Sequence, residues 1–462
     1  LKEGLMRVLA VCFAIAVATF GPSGPAGADG PRLRADDFSY LGAFRLPDTG
    51  ERPQTFDYAG NGMTFYPHGD AAGAGDGFPG SLILTGHERI PGDVPDGDQL
   101  AEVSIPAPVK SKNLDQLAQA NLLRGFTDTL ARPFAAMMEL PTVGLAYLDR
   151  PATGPRIHVA FGQHFEPEPA QPTHGWFDPD LSPGSMRGAW FIEDASFYSV
   201  SGYLFEIPQD WADQHVGGYP LATGRFRDGG WSGMGPAVFA YRPWSDATGA
   251  APAPGAHLKA IPLLLYRDTR ETEAIEGALA GYQQPDEWEG AAWLTTRAGK
   301  SAVLFAGTKA VGAKFWYGFV NPSGPGKPCV WQEVVGQYPV CRLADGRDCP
   351  PSDLKECSGH DFARGWWSSA FQAEFMLYDP ADLAKVAAGQ LKPEQPQPYA
   401  HLPIDTSLRL SVDLSVADWI GSGVQRRQRV GPVAYDREHQ LLYVLELFGD
   451  GAKPLVHVWA VR

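Results

Sequence analysis

Apolar residues in this chain fall in short runs of four to eight, rich in Val, Ile, Leu, Phe and Tyr and separated by Gly, Pro, Asp and Asn. That rhythm predicts strands joined by turns rather than helices. Five runs share one phrase: a glycine, a short aromatic-rich apolar run ending in a turn and, in the clearest copies, a second β-type run ending in polar residues. The copies begin at Gly62 (GMTFYP, then SLILTGHE), Gly144 (GLAYLD, then RIHVAFGQHF), Gly235 (GPAVFAYRP), Gly290 (GAAWLTT, then SAVLFAGTK) and Gly431 (GPVAYDRE, then LLYVLELF). A repeated hairpin cannot bury both of its faces alone. Stacking such units radially gives a β-propeller.

Outer-strand candidates at LAEVSIP (100–106), YLFEIP (203–208), EFMLYDP (374–380) and VHVWAV (456–461) bring the units to four strands each. The expected fold is therefore all-β, a single propeller over residues 29–462 with five blades. Six is the alternative, because the Gly235 copy has only LKAIPLLLYRD (258–268) to follow and PAVFAYRP also resembles the outer strand EFMLYDP. Residues 113–140 read as a helix capped by Asn113, with Leu114, Leu117 and Ala118 on its apolar face. The last copy shows three clear strands, while FSYLGAFRLP (38–47) precedes the first copy without a partner. Pairing the two closes the ring and removes both open edges.

Residues 1–28 read as an export signal: Met6-Arg7 is a short basic start, Val8 to Phe20 an apolar core too short for a stable span, and Ala26-Gly27-Ala28 a small-residue cleavage site. The expectation is a secreted or periplasmic protein, monomeric and not inserted in a membrane. Losing Lys2, Arg7 and Glu3 from 38 basic and 53 acidic residues leaves 36 against 52. Nucleic acid is then an unsuitable partner, since neutralising phosphates needs clustered Lys and Arg. Beyond the signal, Cys329, Cys341, Cys349 and Cys357 lie in an insertion at about 322–366. Their spacing lacks the close pairs of a zinc site, and in an exported chain they read as two disulfides of open connectivity.

In a propeller the inner strand of each blade lines a central channel and the next strand runs antiparallel to it, so residues just before the first and just after the second share one face. At those stations the sequence offers Asp57, Tyr58, His87, Glu88 and Arg89; then Gln163, His164 and Glu166; Trp231; Trp288, Glu289 and Lys309; and Arg429, Glu446 and Phe448. Convergent titratable and aromatic groups in a concavity mark a site. Each also has a plainer role. The histidines can plug the channel, Glu88 and Glu289 can pair with Arg89 or Lys309, and Trp231, Trp288 and Trp366-Trp367 can pack between blades. The segment SGHDFARGWWSS (358–369) reads as a lid or an ordered connector. Asp93, Asp96 and Asp98 offer carboxylates to a structural calcium but lack the closing Glu of an EF-hand loop. No other cofactor is expected.

The chain has no G-x-x-x-x-G-K-[ST] loop, no H-E-x-x-H and no G-x-S-x-G. What remains is acid–base chemistry by carboxylates, histidines and tyrosines. In repeat architecture, and in placing the acids Asp57 and Glu88, Glu289, and Glu446 on three separate copies, the chain resembles five-bladed propeller glycosidases such as the arabinanase and xylosidase families, which draw three acidic residues from successive blades. The resemblance shares no motif. It implies hydrolysis of a polysaccharide or oligosaccharide at a central funnel. The expected roles are Glu88 and Glu289 as acid and base, His87 and His164 as positioning or proton-transfer groups, Arg89 and Lys309 as anion contacts, and Trp288 and Trp366 as sugar platforms. Asp57, Tyr58, Gln163, Arg429 and Glu446 complete the substrate contacts. Two alternatives stand beside it: a lyase in which Arg89, Arg429 or Lys309 neutralises a uronate while His164, His87 or Tyr58 takes the adjacent proton, and a non-catalytic propeller binding a glycan or protein.

Overall fold

The computed structural model describes residues 30–462 except 72, 91, 132–136, 138–141, 164–169, 226–232, 246–247, 269–276, 315–330, 336–337, 343–367 and 422–425. After β1 (Phe38–Arg45), blade 1 holds β2 (Met63–Tyr66), β3 (Ser81–Thr85), β4 (Leu100–Ser104) and, beyond the short β5 (Ala118–Gln119), β6 (Leu122–Thr127). Blade 2 holds β7 (Thr142–Arg150), β8 (Gly154–Gly162), β9 (His174–Phe177) and β10 (Arg187–Ile192). Blade 3 holds β11 (Leu204–Glu206), β12 (Leu221–Thr223), β13 (Ala237–Tyr241) and β15 (Ala260–Leu265), while β14 (His257–Leu258) adds to the edge of blade 2.

Blade 4 holds β16 (Glu287–Thr295), β17 (Ser301–Lys314), β20 (Ser368–Tyr378) and β21 (Ala400–Pro403), with a separate hairpin of β18 (Trp331–Val335) and β19 (Tyr338–Arg342) inserted between β17 and β20. Blade 5 holds β22 (Arg429–Asp436), β23 (Leu441–Asp450), β24 (Lys453–Val461), then β1 and β5. The inner strands β2, β7, β11, β16 and β22 touch in that order, and β22 meets β2 again. The ring is a five-bladed propeller.

Closure uses both termini. Strand β1 pairs antiparallel with β24 from Phe38↔Val461 to Arg45↔Leu455. Tyr40 packs on Trp459 with ring centroids 5.0 Å apart, and its hydroxyl meets His457 Nδ1 at 3.0 Å. Arg45 reaches Asp450 at 2.8 Å.

Two expectations change. The copy at Gly235 is not an inner strand: it leads into β13, third in its blade, and YLFEIP supplies the inner strand β11 instead. Around Asn113 the cap forms, its side chain accepting from the Asp115 amide at 3.1 Å, but it closes only a single 3-10 turn, Leu114–Gln116. The following residues go into β5 and β6 because blades 1 and 5 each have a strand edge to pair there.

A hydrophobic cluster fills each gap between neighbouring blades, and strand alternation distributes side chains between them. In β3, Leu82 and Leu84 enter the gap between blades 5 and 1, while Ile83 enters the gap between 1 and 2. In β17, Val303 and Phe305 face blade 3 and Leu304 and Ala306 face blade 5. Both faces of each sheet are thus apolar, and each buried Leu, Ile or Phe contributes about 1.5–3 kcal/mol.

The repeated glycine follows from how closely the inner strands approach near the axis. A Cβ at Gly62 would lie 2.6 Å from the Val143 carbonyl oxygen of blade 2, one at Gly144 2.6 Å from the Gly202 oxygen of blade 3, and one at Gly290 2.8 Å from the Gly431 oxygen of blade 5. The obstacle is backbone, so it cannot rotate away. Gly144→Ala is therefore expected to lose about 1–3 kcal/mol in denaturant unfolding, whereas Gly184→Ala, where a Cβ meets nothing within 4 Å, should stay within about 0.5 kcal/mol. Equal midpoints for the two variants would contradict this account of the ring.

Candidate functional site

One end of the channel is formed where inner strands begin and second strands finish. From blade 1, Tyr58 stands half-buried before β2, and the turn after β3 carries His87, Glu88 and Arg89. The Glu88 amide donates to the Tyr58 carbonyl at 2.9 Å, tying the two stations together. The His87 ring is 5.5 Å from that of Tyr58, and Tyr58 also meets Trp419 at 5.7 Å and Phe448 at 6.1 Å. Trp419 stacks on Phe448 at 5.8 Å. An aromatic wall from blades 1 and 5 results. Burial pushes the His87 imidazole below its ordinary value, so it is neutral at neutral pH.

Arg429, at the start of β22, is the electrostatic centre of this end. Its Nη2 lies 2.9 Å from Glu289 Oε1 and its Nε 3.4 Å from Glu287 Oε2, both carboxylates being buried on β16 of the next blade. Burial alone would lower the arginine, but Glu287, Glu289 and Glu88 outweigh it and hold Arg429 above its ordinary value. Carboxylates from blades 1 and 4 thus share the field of one guanidinium from blade 5.

Beneath the His87–Arg89 turn sits Asp98, fully buried, accepting from Asn61 Nδ2 at 2.9 Å and from the Arg89 amide at 3.1 Å. Burial pushes its carboxyl up to about 8. Tyr58, Asp98 and Phe448 all hold left-handed backbone, with φ of 54°, 61° and 62°. Three non-glycine residues at this end thus hold sparsely populated backbone, which persists only where the surrounding structure enforces it.

Other candidates take different places. Asp57 is exposed at the lip, and Arg89 donates from Nε to the Met137 carbonyl at 2.8 Å. Lys309 spends its ammonium on Asp286 at 2.9 Å and on the carbonyls of Gly281 at 2.8 Å and Ala310 at 2.9 Å, so it pins the 281–286 loop rather than awaiting an anion. Trp288 is 2% exposed in the cluster between blades 3 and 4, with no open face for a sugar ring. Glu446 accepts from the amides of Arg409 at 2.7 Å and Leu410 at 2.6 Å and from His457 at 2.9 Å, which anchors a loop outside the channel mouth. Gln163 is half-buried at its blade 2 station. His164, Glu166, Trp231 and Trp366 lie outside the described residues, as do Cys329, Cys349 and Cys357; Cys341 is described only as a backbone position on β19.

Of the three carboxylates offered to calcium, Asp98 points into the protein and Asp93 pairs with Arg52 at 3.0 Å. Among the described residues no three His, Cys, Asp or Glu side chains are placed to hold a metal. With the third blade rephased, its station is Arg225, buried and donating to the Gly235 carbonyl at 2.9 Å. Glu287, Trp419 and Asp98 join the polar end without having been assigned to it from sequence. Glu287 carried a signal, lying two residues from Glu289 on the same strand.

The other end of the channel, where inner strands finish, opens into a cavity of about 350 Å³ bordered by all five of them. Arg150 of blade 2, Glu206 of blade 3 and Arg437 of blade 5 meet at its mouth, at 2.9 Å and 3.4 Å.

No family model and no curated protein matches the chain. Among solved structures, a humanised mutant of the Chaetomium thermophilum Polycomb Repressive Complex 2 bound to an inhibitor is similar over 92% of this chain and 97% of that chain, at 8% identity and a TM-score of 0.30. So slight a likeness has no bearing on function. No helix among the described residues is long and apolar enough to cross a membrane.

Asp98 makes stability depend on pH. Between its ordinary value of 3.8 and about 8 the unfolded chain releases this proton while the folded chain keeps it, so folding loses stability as pH rises through that window. Asp98→Asn removes the effect, and Asn tolerates the left-handed backbone. The variant should gain on the parent by up to about 1.4 kcal/mol per pH unit across the window. A difference that does not change with pH, measured by urea unfolding at several pH values, would count against the buried neutral carboxyl.

Proposed function

We propose that this chain is an exported, carbohydrate-active enzyme that hydrolyses glycosidic bonds at the polar end of its channel. The observation that carries the reading is the gathering of Glu88, Glu287 and Glu289, from two blades, around Arg429 of a third. Hydrolysis needs one ionised carboxylate as base or nucleophile and another carboxyl that can deliver a proton to the leaving oxygen. Glu289, paired with Arg429 at 2.9 Å, is placed for the first role. Glu88 is half-buried at the lip, on a different blade from Glu289, which places it for the second.

His87, neutral and next to Glu88, can relay a proton, and the half-buried rings of Tyr58 and Trp419 give a sugar an aromatic face. Glu287 holds Arg429 from the other side and so positions Glu289. Elimination is less well supported, because Arg89, Lys309 and Arg429 already serve protein acceptors and a uronate carboxylate needs a cation to neutralise it. The unlike stations of successive blades favour one composite site over a repeated binding surface.

A panel of plant, algal and bacterial polysaccharides, assayed together for new reducing ends and for unsaturated products, tests the reading. Reducing ends without unsaturation are expected. Glu88→Gln and Glu289→Gln should each lower kcat by about 10²-fold or more with little change in melting temperature for Glu88→Gln. Full activity in both variants, or unsaturated products, would overturn it.

A further inference from the structure

The cavity at the opposite end of the channel changes character along its length. Its inner wall is apolar, built from Leu145, Leu204, Ala291, Ala292 and Val433, contributed by four inner strands. Its mouth is charged. Alternation along β7 puts Leu145, Tyr147 and Asp149 on one face, so a single strand grades from an aliphatic side chain through a half-buried aromatic ring to an exposed carboxylate. The end of β22 and the turn after it bring Asp436, Arg437, Glu438 and His439 to the same mouth, and Glu206 arrives from β11.

The donors here are spent within the protein. Arg150 gives Nη1 to the Asp149 carbonyl at 3.1 Å and Nη2 to Glu206 at 2.9 Å. Arg437 gives Nη1 to Thr295 Oγ1 at 2.5 Å and Nη2 to the other Glu206 oxygen at 3.4 Å. Arg297, just outside, donates to the carbonyl of Glu438 at 2.7 Å and not to its carboxylate. Acceptors are what is left over. Among the described residues, the exposed carboxylates of Asp149 and Glu438 take no hydrogen bond and no ion pair. Buried Asp436 accepts from the His439 amide at 3.1 Å and from its Nδ1 at 2.7 Å. That bond keeps the proton on Nδ1, so the neutral ring offers Nε2 as a further acceptor. Four carboxylates thus border the mouth against two guanidiniums. Such a mouth complements a ligand that brings N–H donors and positive charge.

We propose that this cavity is a second binding site, at the opposite end from the carboxylate–arginine cluster, for a small organic ammonium ion: a primary amine carried on a short apolar body. The body lies up the channel between the inner strands, and the ammonium stands at the mouth among Asp149, Glu438 and His439. A cavity of about 350 Å³ falls in the range of small-molecule pockets, about 300–1,000 Å³. The site shares no residue with the polar end and does not rest on the hydrolase reading.

Isothermal titration with hexylammonium as probe tests it, at about pH 8, where an ordinary imidazole is neutral and an alkylamine remains protonated. Hexan-1-ol serves as the neutral isostere, hexanoate as the anionic one, and methylammonium as a cation lacking the apolar body. Hexylammonium should bind saturably, and each of the other three at least about 10-fold more weakly. The double variant Asp149→Asn/Glu438→Gln changes charge but not shape at two exposed positions, so its melting temperature should be unchanged. Its affinity for hexylammonium should fall by about 5-fold or more, and its affinity for hexan-1-ol should stay that of the parent. Absence of saturable hexylammonium binding up to about 10 mM, equal binding of any of the other three compounds, or parent-like hexylammonium affinity in the double variant would overturn the assignment. Polysaccharide cleavage reports on the other end of the channel, so the two readings fail separately.

Discussion

Backbone-on-backbone contact between inner strands is the constraint from which the rest of this molecule follows. At Gly62, Gly144 and Gly290 a neighbouring carbonyl occupies the space a side chain would need, so the blades close to the shortest approach the chain allows. Apolar side chains just behind these contacts fill the gaps between blades and line the inner part of the cavity. Charged groups gather at the two ends. The strand direction, alternating from inner to second strand in every blade, then decides which residues share an end.

The two ends differ because the blades differ. At one, acids on blades 1 and 4 face a single arginine from blade 5, backed by a carboxyl that burial keeps neutral and lined by Tyr58, Trp419 and Phe448. At the other, an apolar shaft ends in a polar mouth where Glu206 bridges Arg150 and Arg437. Arg429 lies on the inner strand of the blade whose fourth strand comes from the N-terminal part of the chain. The clasp of β1 on β24 therefore bears on the polar end as well as on the ring: it holds in place the sheet that presents the arginine.

Much of the ring was legible in the sequence because its determinants are local. A glycine before a short apolar run marks a place where backbone approaches backbone, and four of the five marked inner strands in this way. The copy at Gly235 misled for a physical reason: that glycine, with φ near 150°, lies against the Tyr266 ring, so a close contact of another kind writes the same phrase ahead of a third strand. Side-chain direction was much less legible. When both faces of a sheet are buried, the two-residue alternation that separates inside from outside is lost, and Lys309, Trp288 and Glu446 gave no sign of turning toward a loop, a core and a backbone anchor. Glu287 joins Glu289 on Arg429 across a register irregularity between Glu287 and Gly290, which strand spacing does not reveal. Asp98 looked like a loop carboxylate until Asn61 and the Arg89 amide were seen to enclose it.

The claim underlying all of this is that the ring is one closed unit in which the clasp is as firmly held as the inner strands. Native-state hydrogen exchange on the intact protein measures it directly. The account predicts that amides of β1 and β24 exchange only with the free energy of global unfolding, alongside those of β22 and β16. Exchange of β1 through a low-energy opening that leaves β22 and β16 protected would contradict it, and with it the dependence of Arg429 on a closed fifth blade.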